Sequence, residues 1–377
     1  MAGFVLSLAF ISVDHVIFLI LFPAIITVRG SISGILCGRL GTALHTGGIR
    51  PFLKGNSRSF YMLLRAAYVL TFVEMSAVGL VAYMLSTVLF KTGWGDLYLF
   101  ILLPPLTGCL SILFGIPLTS ILAFSTFRRG LDPDTVVYPM MSTVNDIVVT
   151  CIYYLLSLTL FRGGAIQVGV SFAALIFLAA VCLIFLSKSR MDPVFTETLR
   201  EAVPVVLLCA CFGIFGGLTL GGVRRVLEKV PGVLILYPAV VDALGDVGSI
   251  VGSNTTSRLH LGELSPSLSS FKELLYDILA VESSAGIVHT LFGGAAYHLA
   301  TKVLVNARMD RLVVAAVLSN LVSFVPICLL AFLVAVLTFK RGLDPDNFVI
   351  PVETAVSDAL GTLALSFALT VSYIFIV

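Results

Sequence analysis

Four carboxylates stand in stretches otherwise too apolar to carry a charge, and they come in pairs. Asp146 and Asp358 each follow the hexapeptide R-G-L-D-P-D, at 129–134 and 341–346. In both copies a proline, Pro139 or Pro351, lies five residues after the motif's second Asp, and the deep Asp lies seven residues after that proline. Glu74 in FVEMSA and Glu282 in AVESSA form the second pair. Charge in hydrocarbon is costly, so such groups face a partner or a polar cavity. On a helix starting near Asp132 or Asp344, the deep Asp lies about 21 Å along the axis, well inside an apolar layer about 30 Å thick. Each acid can pin helices together through a partner or hold a cation, and duplication of the Asp pair favours a cation on a shared axis. The ligand types available are oxygen donors: Asp, Glu, Ser, Thr, Asn and backbone carbonyls. Copper and zinc prefer imidazole or thiolate, and His and Cys do not cluster in these stretches. Mg²⁺ keeps several waters and takes one or two carboxylates, which fits one deep Asp per copy. Ca²⁺ and Na⁺ satisfy the same donor chemistry.

The two copies differ in charge. The second carries Asp242, Asp246 and Glu353 where the first has Thr27, Ser31 and Met141, so the second is expected to supply most of the cation affinity. Asp242 and Asp246 are one helical turn apart and share a face. Glu353 is five residues before Asp358, roughly 140° away around a helix, and is expected on a different surface. Asp132 and Asp344 suit helix N-caps, Pro133 and Pro345 the first helical position, and Asp134 and Asp346 the first turn. Pro139 and Pro351 free backbone carbonyls just before the deep Asp; a carbonyl facing an ion path and a simple kink both fit. The Gly/Ser runs at 29–34 and 245–249 lie mid-span, where small residues serve close helix packing or a broken pore helix. Arg39, His45, Arg258 and His260 close the same helices as end charges and interfacial anchors. Arg29 falls inside a span.

The elements that must position these groups are membrane helices. Of 377 residues, 58% are hydrophobic and 12% charged, with mean hydropathy +1.07. Soluble domains carry about 25% charged residues, so this chain cannot cover a water-facing surface. Apolar runs predict spans near 13–45, 60–90, 97–127, 135–160, 166–187, 200–222, 231–260, 273–300, 311–339 and 347–376. Residues 1–12 are too short to span and are expected to extend the first helix, lie along the interface, or correspond to the otherwise unmatched 200–222. The N-terminus lacks a basic segment and small-residue cleavage site, so no signal peptide is expected. The Lys and Arg bias is weak and places the loops near 46–57, 128–132, 188–192, 261–272 and 340–346 in the cytoplasm. Net charge of +2 implies no nucleic-acid partner. The 7 cysteines read as small hydrophobes.

Self-comparison shows a tandem repeat. The 128–150 and 340–362 segments align without gaps. LFPAIITVRGSISG from Leu21 matches LYPAVVDALGDVGS from Leu236, and the Glu-containing hexapeptides match in the same order. Six crossings separate the helices of Pro23 and Pro238, and an even number returns the chain to the same side. The expected fold is an all-α polytopic membrane protein of about ten transmembrane helices in two parallel repeats related by a pseudo-twofold axis. The domains read as 1–162 for the first repeat, 163–192 for a connector helix and 193–377 for the second repeat.

These motifs resemble the transmembrane domain of the MgtE magnesium channels, and more closely their tandem-repeat solute-carrier family 41 relatives. The resemblance rests on the paired R-G-L-D-P-D motifs, the P-x6-D runs ending at Asp146 and Asp358, the run from Arg29 to His45, and Val73-Glu74-Met75. It implies that Asp146 and Asp358 line a central cation pathway between two five-helix units. It further implies that Ser142 and Thr354, one turn earlier, match a backbone-carbonyl contributor. The family's single-unit channels form homodimers, so two fused units imply that one chain can form the pore as a pseudo-dimeric monomer among membrane lipid. The function expected is transport of a divalent cation, Mg²⁺, across the cell membrane. The alternative is a carrier coupling H⁺ or Na⁺ to export of Mg²⁺ or another solute, with Glu74 and Glu282 titrating. An enzyme is disfavoured, since no HExxH, GxSxG or paired His–Asp arrangement is present.

Overall fold

The computed structural model describes the chain apart from residues 1, 14, 132, 230–231, 303–306, 343–345 and 376–377. The described residues form twelve α-helices and two short 3-10 turns; the helices are α1 (Ala2–Val13), α2 (Val16–His45), α3 (Arg58–Phe90), α4 (Leu97–Arg128), α5 (Pro133–Arg162), α6 (Ala165–Ser189), α7 (Pro193–Gly222), α8 (Arg224–Lys229), α9 (Gly232–His260), α10 (Leu275–Thr301), α11 (Met309–Lys340) and α12 (Asp346–Phe375). Among the described residues ten helices are long and apolar enough to cross a membrane, namely all but α1 and α8. Hydrocarbon offers no water to satisfy backbone polar groups, and a helix satisfies them internally. An all-α polytopic protein is therefore what this composition requires.

The glycine of each R-G-L-D-P-D motif ends a helix. Gly130 and Gly342 sit at φ 72° and 68°, the left-handed conformation that ends a helix most easily at glycine. Their amides donate to the carbonyls of Phe127 (3.1 Å) and Phe339 (3.0 Å), closing α4 and α11. Pro133 then opens α5, where a missing amide hydrogen costs nothing. Asp132, Asp344 and Pro345, expected as caps and first-turn residues, lie outside the described residues.

The chain divides into two compact units, residues 21–214 and residues 1–20 with 215–377. In the first of these, α4 packs against α3, α5 and α6, and α6 packs on α3 as well. The region read as a connector is thus part of this unit. A Cβ at Gly79 would strike the Phe100 carbonyl, and one at Gly108 would lie 2.6 Å from Met75 Cγ. Glycine at these positions is what lets α3 and α4 touch. The Tyr68 hydroxyl donates to the Leu178 carbonyl at 3.1 Å, tying α3 to α6. α7 runs antiparallel to α2: Gly213 faces Ala24 and Thr27, and Glu201 pairs with Arg39.

In the other unit α9, α10, α11 and α12 pack together, with α11 against the other three. α1, the short apolar segment, forms a helix of its own and packs on α9. It is drawn close because Gly3 meets the backbone of Ile235. Gly293 of α10 faces the Val313 backbone, with Cα 2.6 Å from a would-be Cβ, so the α10–α11 contact uses the same device as α3–α4.

Candidate functional site

Helices α9 and α12 carry the acids of the second repeat. Both run without interruption through their prolines, Pro238 and Pro351, and α5 likewise continues past Pro139. The mid-span Gly/Ser runs do not break α2 or α9 either. The second run is a close-approach surface: a Cβ at Gly248 would collide with the Glu353 carboxyl. Glu353 is fully buried there. Its Oε2 accepts from Ser249 Oγ at 3.2 Å, and its Oε1 accepts from Ser357 Oγ, one turn along α12. Glu353 therefore lies in the α9–α12 seam. Asp246 is exposed and Asp242 half-buried, and Asp358 is buried at 8% exposure. Asp358 and Asp246 both act electrostatically on the Glu353 carboxyl, and Asp242 acts on Asp246. Tyr237 and Thr362 share a hydrogen bond of 2.9 Å that fixes α9 against α12 near these acids.

The first repeat builds a different environment around its deep Asp. Asp146 and Ser142 are half-buried, as Thr354 is in the second repeat. The two deep Asp residues share one local feature: their carbonyls accept from Thr150 and Thr362, each at 2.6 Å. Next to Asp146, Asn145 is buried and donates to Ser33 Oγ at 2.7 Å. Facing it is Arg29, only 2% exposed. Its Nε donates to Ser111 Oγ at 2.9 Å. One turn further along α4, Gly115 makes room for the guanidinium: a Cβ there would lie 2.7 Å from Arg29 Nη2 and 3.2 Å from Asn145 Oδ1. Arg29 Nη1 is buried and meets no hydrogen-bond partner among the described residues. Asp146 acts electrostatically on this guanidinium. Sequence reasoning set Arg29 aside when counting charges. The signal that finds it is a basic residue mid-span whose repeat counterpart, in the Leu21/Leu236 alignment, is the apolar Leu244.

The glutamate pair is also unequal. Glu74 is fully buried, and neither carboxyl oxygen has a hydrogen-bond partner among the described residues. Glu282 is half-buried and accepts from Asn320 Nδ2 at 3.0 Å, joining α10 to α11. Arg258, expected as an end charge, pairs with Asp277 at 3.1 Å. Among the described residues no three His, Cys, Asp or Glu converge closely enough to hold a bare metal ion.

The family model described as MgtE, divalent cation transporter, matches residues 22–156 and 237–368, one match per repeat. Solute carrier family 41 member 3 of Rattus norvegicus is 24% identical over 374 residues, covering 93% of this chain and 79% of its own length. Solute carrier family 41 member 2 of Mus musculus is 27% identical over 380 residues, covering 92% of this chain and 63% of the relative. Member 2 of Xenopus laevis is 24% identical over 376 residues, with 92% and 64% covered. The chain thus spans less than two thirds of the member 2 relatives it matches. No solved structure matches it significantly.

Proposed function

The chain belongs to the MgtE family of divalent cation transporters, and we propose that it carries Mg²⁺ across the membrane along a pathway between its two repeats. The observation that supports this reading best is the acid group on α9 and α12. Asp358 and Asp246 act on Glu353, and Asp242 acts on Asp246, within apolar spans. Like charges so placed repel strongly in a low-dielectric setting, and a divalent cation offsets that repulsion. Glu353 is bonded to Ser249 and Ser357, and the ion is assigned to Asp358 with the more exposed Asp242 and Asp246. Thr354, one turn before Asp358, and Ser142, one turn before Asp146, offer oxygen donors to its water shell. Mg²⁺ keeps several waters and needs only one or two carboxylates, which Asp358 with Asp242 or Asp246 would supply.

The test is Mg²⁺ flux into proteoliposomes, with and without pH and Na⁺ gradients. Asp358→Asn should lower flux at least about tenfold while the chain still inserts. Undiminished flux in Asp146→Asn/Asp358→Asn would reject the site. A second reading, a carrier coupled to H⁺ or Na⁺, is favoured by the fully buried Glu74 carboxyl with its unpartnered oxygens. Flux that requires a gradient, and loses that requirement in Glu74→Gln, supports the carrier; flux indifferent to both gradients supports a channel.

A further inference from the structure

Arg29 is a full positive charge held inside the first repeat's helices. Two features place its guanidinium: the 2.9 Å bond to Ser111 and the side-chain-free surface of Gly115, which Asn145 Oδ1 also approaches. An arginine in such a setting remains charged and cannot leave, and a buried charge persists only when other charges offset it. Asp146, next in the chain to Asn145, is within electrostatic reach. The matching position in the second repeat is Leu244, and that repeat has gained Asp242, Asp246 and Glu353 instead. The two deep Asp residues therefore have opposite electrostatic settings: Asp358 acts on a further buried carboxylate, Glu353, whereas Asp146 is within electrostatic reach of a buried cation.

We propose that Arg29 is a resident cation that balances Asp146 in place of a transported ion, so that the second repeat alone supplies the carboxylates that bind Mg²⁺. This rests on the transport reading above and deepens it. Asp146 is then a charge-balancing residue: its removal harms transport because it leaves an uncompensated guanidinium that repels the ion, and an ion–carboxylate bond is not what is lost.

A charge-balance cycle in the full-length chain tests this. Mg²⁺ flux and its half-saturating Mg²⁺ concentration are measured in proteoliposomes for the wild type, Asp146→Asn, Arg29→Met and Arg29→Met/Asp146→Asn, with Arg29→Gln/Asp146→Asn as a second double variant. Expected are a loss of about tenfold or more in Asp146→Asn and recovery to within about threefold of wild type in either double variant. Arg29→Met alone should lower the half-saturating concentration by about threefold or more, because Asp146 is released to the ion; a purely structural role for Arg29 would not produce that shift. If Asp146→Asn fails to insert and a double variant restores insertion and flux, the balance is equally supported. Double variants that stay inactive, whether inserted or not, would overturn the proposal, as would an unchanged half-saturating concentration in Arg29→Met or full activity in Asp146→Asn. Those results leave the transport reading to be judged by Asp358→Asn, whereas a wild-type chain with no Mg²⁺ flux would remove that reading itself.

Discussion

At the scale of single residues, the acids of α9 and α12 differ in setting: Glu353 is fully buried between serine donors, whereas Asp246 is exposed and Asp242 half-buried. Glu353 has no exposed surface and two serine donors. Its carboxyl fits only because Gly248 has no side chain. Gly248→Val should therefore displace Glu353 and cost about 1–3 kcal/mol, the usual penalty of overpacking, seen as a lower melting temperature in detergent. Replacing Ser249 and Ser357 together by Ala should cost a similar amount by leaving a buried carboxyl without donors. Asp242 and Asp246 should behave otherwise. Asp242→Thr with Asp246→Ser, which copies the first repeat, should leave the melting temperature nearly unchanged and weaken Mg²⁺ binding clearly in a metal titration. Unchanged affinity in that variant would mean that the added carboxylates play no part in holding the ion.

At the scale of elements, the helices are long and apolar on most sides, so their packing is decided by where backbones can approach. Lipid tails are as apolar as leucine, and helix contact in a membrane is driven by close fit. Gly79 against Phe100 and Gly293 against Val313 are points of close backbone approach in their helix pairs. Gly79→Leu or Gly293→Leu should push α3 from α4 or α10 from α11, giving poorly dispersed protein in detergent. Gly169 and Gly286 have nothing near a would-be Cβ. Ala there should be tolerated and add roughly 0.5–1 kcal/mol through helix propensity alone. The contrast checks that the close contacts, and not glycine content, carry the packing.

At the scale of the whole molecule, the order of the chain and the membership of its compact units differ. α1 comes first in sequence yet packs on α9, in the unit built from residues 215–377. α7 follows the first repeat's helices and packs along α2. Removal of residues 2–13 should therefore loosen the second repeat before the first. Hydrogen exchange should rise in α9 around Ile235, where Gly3 now sits, with little change in α3 and α4. Faster exchange confined to α2–α4 would contradict this arrangement.

The sequence by itself determined the properties that depend on local composition and on comparison of one stretch with another. Ten spans, all-helical structure, the two repeats and the glycine helix ends at 130 and 342 were legible because hydropathy and turn chemistry act within a few residues. Glycine at 130 and 342 announces a left-handed helix end wherever it occurs after such a run. Tertiary structure alone decided which buried charges meet. Nothing near Arg29 in sequence indicates Ser111, Gly115 or Asn145, which lie on α4 and α5. The burial of Glu353 depends on a gap left by Gly248, about a hundred residues earlier in the chain. The separate placement of α1 depends on the shape of α9. The energy of a buried charge is set by the atoms around it in space, and two copies of one motif acquire different electrostatics once their neighbours differ.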